Sequence, residues 1–220
     1  MAATRTHPRT KRSSLQGGFS ESVFVNCPFD KGYIFLLWPL LFTIIYLGFK
    51  PRIALESKNS GAPRIDKIVA QIRESMYAIH DLSRIQANKK GEFFRLNMPF
   101  ELGLDVGCRL YSTGKRRHKK CLILEAERFR YQAALSDISG SDIETHNNDP
   151  RDVVVGVRNW LSNEAGIDSD GPEMIWASFN DFLAANSGEL QQNGFLKKDI
   201  EKLPVGELLR RMRRWCGVHG

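Results

Sequence analysis

The residues able to act on a ligand fall in four short stretches. They are Asn26, Phe29 and Asp30 in VFVNCPFD, Glu56 closing RIALE, Asp81, Ser83 and Arg84 in AIHDLSR, and Arg95, Asn97 and Glu101 in FRLNMPFELG. Glu101 is the unexpected one, a carboxylate among Met98, Phe100, Leu102 and Leu104 where a helix opens. A structural reason for it is available, since the helix dipole favours an acid in the first turn by about 0.3–1 kcal/mol. A chemical reason is also open. A carboxylate with arginines and an aromatic ring nearby suits cleavage of an N-glycosidic bond, where it stabilises or attacks the oxocarbenium-like sugar carbon. It could also bond ribose hydroxyls while the arginines hold phosphates and Phe29 stacks on a base. Asp105, one turn beyond Glu101, reads either as a second acid or as a solvated or capping helix residue.

Other chemistries lack their signatures. No GxGxxG follows the first strand, and no GxxxxGK[ST] or GxSxG occurs, which disfavours dinucleotide oxidoreductases, P-loop enzymes and serine hydrolases of the nucleophile-elbow type. Cys27, Cys108, Cys121 and Cys216 form no CxxC pair, and the histidines are not spaced as zinc ligands, so no metal is expected. Cys27, Cys108 and Cys121 sit in apolar contexts and read as buried free thiols in a reducing compartment. His80 reads as a hydrogen-bonded structural residue, and His118, inside KRRHKK, as exposed.

A parallel α/β sheet places such residues together. SVFVNC, RIALE, SMYAIHDLS and CLILE read as strands, with a fifth around Asp142 to Thr145. Between them lie an uncharged segment from Tyr33 to Gly48, an amphipathic helix from Arg64, and the helix carrying Glu101. Strand–helix alternation predicts a parallel sheet of four to five strands with helices on both faces, and ligands bind such sheets beyond the carboxyl ends of the strands. Each candidate residue falls at one of those ends. The uncharged segment is too short for a membrane span, which needs about 20 residues, and Pro39 interrupts it; it reads as a buried helix.

The 220-residue chain has room for one sizeable domain with an appendage. Residues 1–20 read as a disordered basic tail, 21–165 as the α/β domain and 166–220 as a helical extension. With no apolar leader in the tail, a cytoplasmic protein is expected. The net charge of +7 points to an anionic partner. KRRHKK and LLRRMRRWC would allow nucleic acid, but no nucleic-acid motif accompanies them, so that class ranks below a nucleotide ligand.

The runs VFVNCPFD, GFKPRIALE, YAIHDLSR and FRLNMPFELGLDVG, in that order, resemble prokaryotic TIR-like proteins of the nucleoside 2-deoxyribosyltransferase-like branch. SDISGSDIETH and RDVVVGVRNWL look like the same group, and the likeness spans about Ser22 to Trp160. The resemblance implies a flavodoxin-like fold and, in active members, cleavage of NAD or a nucleoside at the glycosidic bond, often in bacterial anti-phage defence. It implies Glu101 as the catalytic residue, with NAD as substrate and no cofactor required. Asn26, Phe29, Asp30, Glu56, Asp81, Ser83, Arg84, Arg95 and Asn97 would bind the ligand. A homo-oligomer or an activating protein could switch activity on. Other members of the group are nucleotide-sensing or assembly modules without turnover, and that alternative stays open. Asp105 and the helices after about Asp168 have no counterpart in the resemblance.

Overall fold

The computed structural model describes residues 18–54, 61, 63–86, 96–128, 130, 135–138 and 142–217. The first strand, β1 (Ser22–Asn26), leads into α1 (Ile34–Tyr46) and β2 (Lys50–Ile53). Then come α2 (Arg64–Arg73), β3 (Tyr77–Asp81), α3 (Asn97–Tyr111), β4 (Lys120–Glu125), β5 (Asp142–Thr145) and α4 (Pro150–Ala165). The chain ends in α5 (Pro172–Gln192), α6 (Lys197–Ile200) and α7 (Val205–Trp215). The strands form one sheet, all parallel, in the order β2-β1-β3-β4-β5. This is a flavodoxin-like α/β fold, with β1 and β3 meeting where the strand order reverses.

Burial follows from position in the sheet. β1 and β3 are central and covered on both faces, so every residue in them is buried, whereas the edge strands β2 and β5 are buried in part. Val23, Val25, Ile79, Leu122 and Leu124 face α1 and α4, while Phe24 and Ala78 face α2 and Ile123 faces α3. Successive side chains therefore point to opposite layers.

The uncharged segment is α1, and the C-terminal helices explain its composition. One side of α1 packs on the sheet and α4; the other is covered by α5 and α7. The Phe42 ring lies 5.3 Å from Phe179 and 5.6 Å from Phe182 between ring centres. The helices after residue 166 thus contribute to the core of the sheet domain. Among the described residues no helix is long and apolar enough to cross a membrane.

Three expectations shift. β2 starts at Lys50 and ends at Ile53 rather than running through RIALE, because Gly48, with φ of 84°, turns the chain out of α1 directly into pairing with Ser22. Pro51 is tolerated there since β2 is an edge strand. The final basic helix is broken before Val205, where Pro204 has no N–H to continue a helical ladder. Third, α3 opens at Asn97, earlier than the sequence pattern implied. The basic tail (except residues 18–20), Glu56, Arg95 and most of the short helix expected after Glu125 lie outside the described residues.

Candidate functional site at the carboxyl edge of the sheet

With α3 starting at Asn97, Glu101 stands in the second turn rather than the first. Dipole stabilisation falls off within the first turn, so it does not account for this residue. Met98, Glu101, Leu102 and Asp105 form the buried stripe of α3, at helical spacing toward the sheet. Glu101 is 4% exposed. Burial pushes its carboxyl up from 4.5 to about 7, with the Arg64 guanidinium pulling the other way. Among the described residues no hydrogen bond or ion pair reaches that carboxylate. Arg64, the first residue of α2, lies 6.0 Å from the Phe29 ring centre. An aromatic face, an arginine and a carboxylate in a near-balanced protonation state thus meet beside the end of β1.

Behind Glu101 runs a buried polar chain. Asn26 Nδ2 donates to the Met98 carbonyl at 2.9 Å and lies 3.0 Å from His80 Nδ1. A carbonyl can only accept, so the amide nitrogen must face Met98, and His80 Nδ1 is then the acceptor. The imidazole proton is left on Nε2, which faces Asp105 Oδ2 at 3.4 Å. Lys119 ion-pairs with Asp105 Oδ1 at 3.0 Å and donates to the carbonyls of Ile72, at 2.9 Å, and Ser75. Burial alone would raise the Asp105 carboxyl, but the His80 hydrogen bond and the Lys119 charge hold it below its ordinary value. Asp105 is therefore an internal ion-pair partner, neither solvated nor capping.

His80, Asp105 and Cys121 bring their ligating atoms within 4.8 Å of one another, a donor set that could in principle take a metal ion. The ammonium of Lys119 already neutralises Asp105, and burial pushes the Cys121 thiol up, away from the thiolate a metal would need. The group fits an ion-pair network better than a metal centre.

On the opposite layer of the sheet, Asp81 is fully buried. Its Oδ1 accepts from the Ser83 N–H at 2.8 Å, and its Oδ2 accepts from the Tyr33 hydroxyl and lies 3.2 Å from His146 Nε2. Asn148 N–H donates to His146 Nδ1 at 3.1 Å, which leaves the imidazole proton on the side of Asp81. Burial and then the charge of Asp81 push the Tyr33 hydroxyl well up. Asn147 and Asn148, with φ of 49° and 57°, take left-handed backbone that asparagine adopts more readily than most residues. One carboxylate thus ties together the loops after β1, β3 and β5. Cys27 packs in the layer of α1 and α4; burial, and then Asp81, Glu101 and Asp30, push its thiol well up.

The remaining expected residues are spread along this edge. The Ser83 carbonyl accepts from Arg130 at 2.6 Å, while its buried hydroxyl has no partner among the described residues. Arg130 also pairs with Glu125, whose carboxyl burial raises against the pull of Arg130. Arg84 reaches the Gly32 carbonyl at 3.5 Å. The backbone carbonyl of Asp30 accepts from Tyr33 N–H, and Asn97 is exposed at the start of α3. Sequence reasoning missed Tyr33, Arg64, Lys119, Arg130 and His146. The strand-end rule would have found His146 had it been extended past Thr145, and Arg64 sits where the same edge receives the start of α2.

Compared with protein-family models, with curated proteins and with solved structures, the chain matches none.

Proposed function

We propose that the chain is an N-glycosidase of the TIR-like, deoxyribosyltransferase-like kind, cleaving the bond between sugar and base in NAD or a related nucleotide. Depletion of that nucleotide would serve bacterial defence against phage. The observation that carries the reading is Glu101, a buried carboxylate at the carboxyl edge of a parallel sheet with no partner among the described residues and a pKa brought to about 7.

In NAD the nicotinamide leaves with the electron pair of the C1′–N bond, which neutralises its pyridinium nitrogen, so departure requires no general acid. What the reaction needs is an anion at C1′. Glu101 supplies it, as oxocarbenium stabiliser or as nucleophile, and water then gives its hydroxyl to C1′ and releases a proton. The cationic nicotinamide ring would itself favour the ionised form of Glu101 on binding. Phe29 and Arg64 offer a stacking face and a phosphate partner on the same side.

A nucleotide-sensing or assembly module is the competing reading. It is favoured by one feature, the exposed apolar side chains of Phe100, Leu110 and Tyr111 on α3. Nicotinamide release from NAD by wild type and Glu101→Gln, at low and high protein concentration, separates the two. Cleavage lost in the variant supports the glycosidase, and a steep rise with concentration adds self-assembly as its trigger. No cleavage at any concentration would sink the glycosidase and leave the sensor.

A further inference from the structure

The amide of Asn26 is half used. Its Nδ2 serves both the Met98 carbonyl and His80, but its Oδ1 is buried with no hydrogen-bond partner among the described residues, and the residue is 1% exposed. The amide cannot be turned to relieve this, because Oδ1 would then confront the Met98 carbonyl oxygen. An orphaned buried acceptor costs free energy, and native structures keep few of them without a purpose. This one is fastened to the backbone of α3, the helix that carries the candidate carboxylate. The Met98 carbonyl that holds Asn26 lies three residues before Glu101 on α3, less than one helical turn away.

We infer that Asn26 Oδ1 accepts a hydrogen bond from the ligand's 2′-hydroxyl, so that the site takes ribosyl and not 2-deoxyribosyl compounds. The inference rests on the glycosidase reading, which puts the anomeric carbon at Glu101; the hydroxyl on the neighbouring sugar carbon is then the donor within reach of Asn26. The backbone anchor through Nδ2 and the hydroxyl contact through Oδ1 make one side chain both a strut for α3 and a reader of the sugar. A 2-deoxy sugar would leave Oδ1 as unpaired as it is without ligand and forgo the gain.

The test compares binding of D-ribose 5-phosphate and 2-deoxy-D-ribose 5-phosphate to the full chain by calorimetry; neither carries a base, so neither is consumed. Wild type should bind the ribose compound about tenfold tighter or more, and in Asn26→Ala, where both affinities can fall with the loss of the strut to α3, the two should come within about twofold of each other. The wild-type comparison stands even if that variant fails to fold. Equal affinities in wild type, no measurable binding of either sugar phosphate at millimolar concentration, or a preference that survives in Asn26→Ala would each overturn the inference. Nicotinamide release is scored separately. Cleavage without sugar preference overturns the role of Asn26 and spares the glycosidase, whereas sugar preference without cleavage does the reverse.

Discussion

Glu101→Gln should stabilise the protein while abolishing its activity. The folded chain holds a proton on Glu101 up to about pH 7, against an ordinary value of 4.5. Each tenfold in acidity is worth about 1.4 kcal/mol, so the gap caps the cost of ionising this residue in the fold at about 3 kcal/mol. Solvent screening at the sheet edge brings that to about 1–2 kcal/mol. The sign follows from which state binds the proton. Between pH 4.5 and about 7 the folded protein is protonated and the unfolded chain is not, so stability falls as pH rises through that window. Below it the penalty is absent, and above it the penalty is complete. Glutamine imitates the protonated acid at every pH, and among the described residues no partner of Glu101 is lost by the exchange. A chain of this length moves by about 2–4 °C per kcal/mol, so Glu101→Gln should melt roughly 2–8 °C above wild type at pH 8. The difference should close as the pH approaches 4. Thermal unfolding of both proteins in matched buffers across that range reads it directly. Equal melting temperatures at pH 8, or a difference that persists unchanged at pH 4, would refute the claim that Glu101 is an ionised, unpartnered group in the fold.

Three further outcomes are open to measurement. If Glu101 acts ionised, kcat/KM for NAD should fall about fivefold from pH 7 to pH 6, as the ionised fraction drops from about one half to one tenth; a profile flat across that interval excludes it. Arg64→Ala removes the positive charge opposing the upward shift, so the inflection should move to higher pH while affinity for phosphate-bearing ligands weakens, both visible in one set of pH-dependent kinetics. Lys119→Met leaves Asp105 charged and buried and should cost about 3–5 kcal/mol in denaturant unfolding, with Asp105→Asn restoring part of the loss in the double variant.

Much of the architecture was legible from spacing. Apolar runs of strand length alternated with helical periodicity, and the polar residues Asn26, Asp81, Ser83 and Glu101 fell where a parallel sheet gathers its strand ends. What stayed hidden depended on contacts between segments distant in sequence. Lys119 belongs to KRRHKK and reads as solvated. It is buried because the carbonyls of Ile72, in the last turn of α2, and of Ser75, just past it, converge with the Asp105 carboxylate on its ammonium, and no local pattern announces that. Tyr33 reads as one more apolar residue opening α1, yet its hydroxyl is committed to Asp81 on β3. Arg64 opens an amphipathic helix and is exposed, and nothing in the local pattern tells that it lies over Phe29, a residue singled out in the sequence. The start of α3 lies earlier than the apolar pattern around Glu101 suggests, and Pro99 is tolerated inside it because, at the third helical position, its missing N–H has no intrahelical acceptor to lose.

The two carboxylates of this edge show why residue type and strand-end position narrow the choice without making it. Asp81 and Glu101 are both buried, both act on the Cys27 thiol, and both were candidates for contact with a ligand. Asp81 accepts from a backbone N–H and a tyrosine hydroxyl with an imidazole nitrogen 3.2 Å away. With both oxygens engaged, it holds three loops in place and has little left to offer a substrate. Glu101 is buried less completely, and among the described residues its charge is answered by Arg64 alone. A fold gains nothing in stability from such a group. If the role of Asp81 is to fix the geometry of the edge, Asp81→Asn should lower stability and loosen ligand binding, yet leave the pH at which kcat/KM breaks unchanged, because that inflection belongs to Glu101. A shift of the break in Asp81→Asn by as much as in Arg64→Ala would mean that the two layers titrate together and that the division of labour drawn between them is wrong.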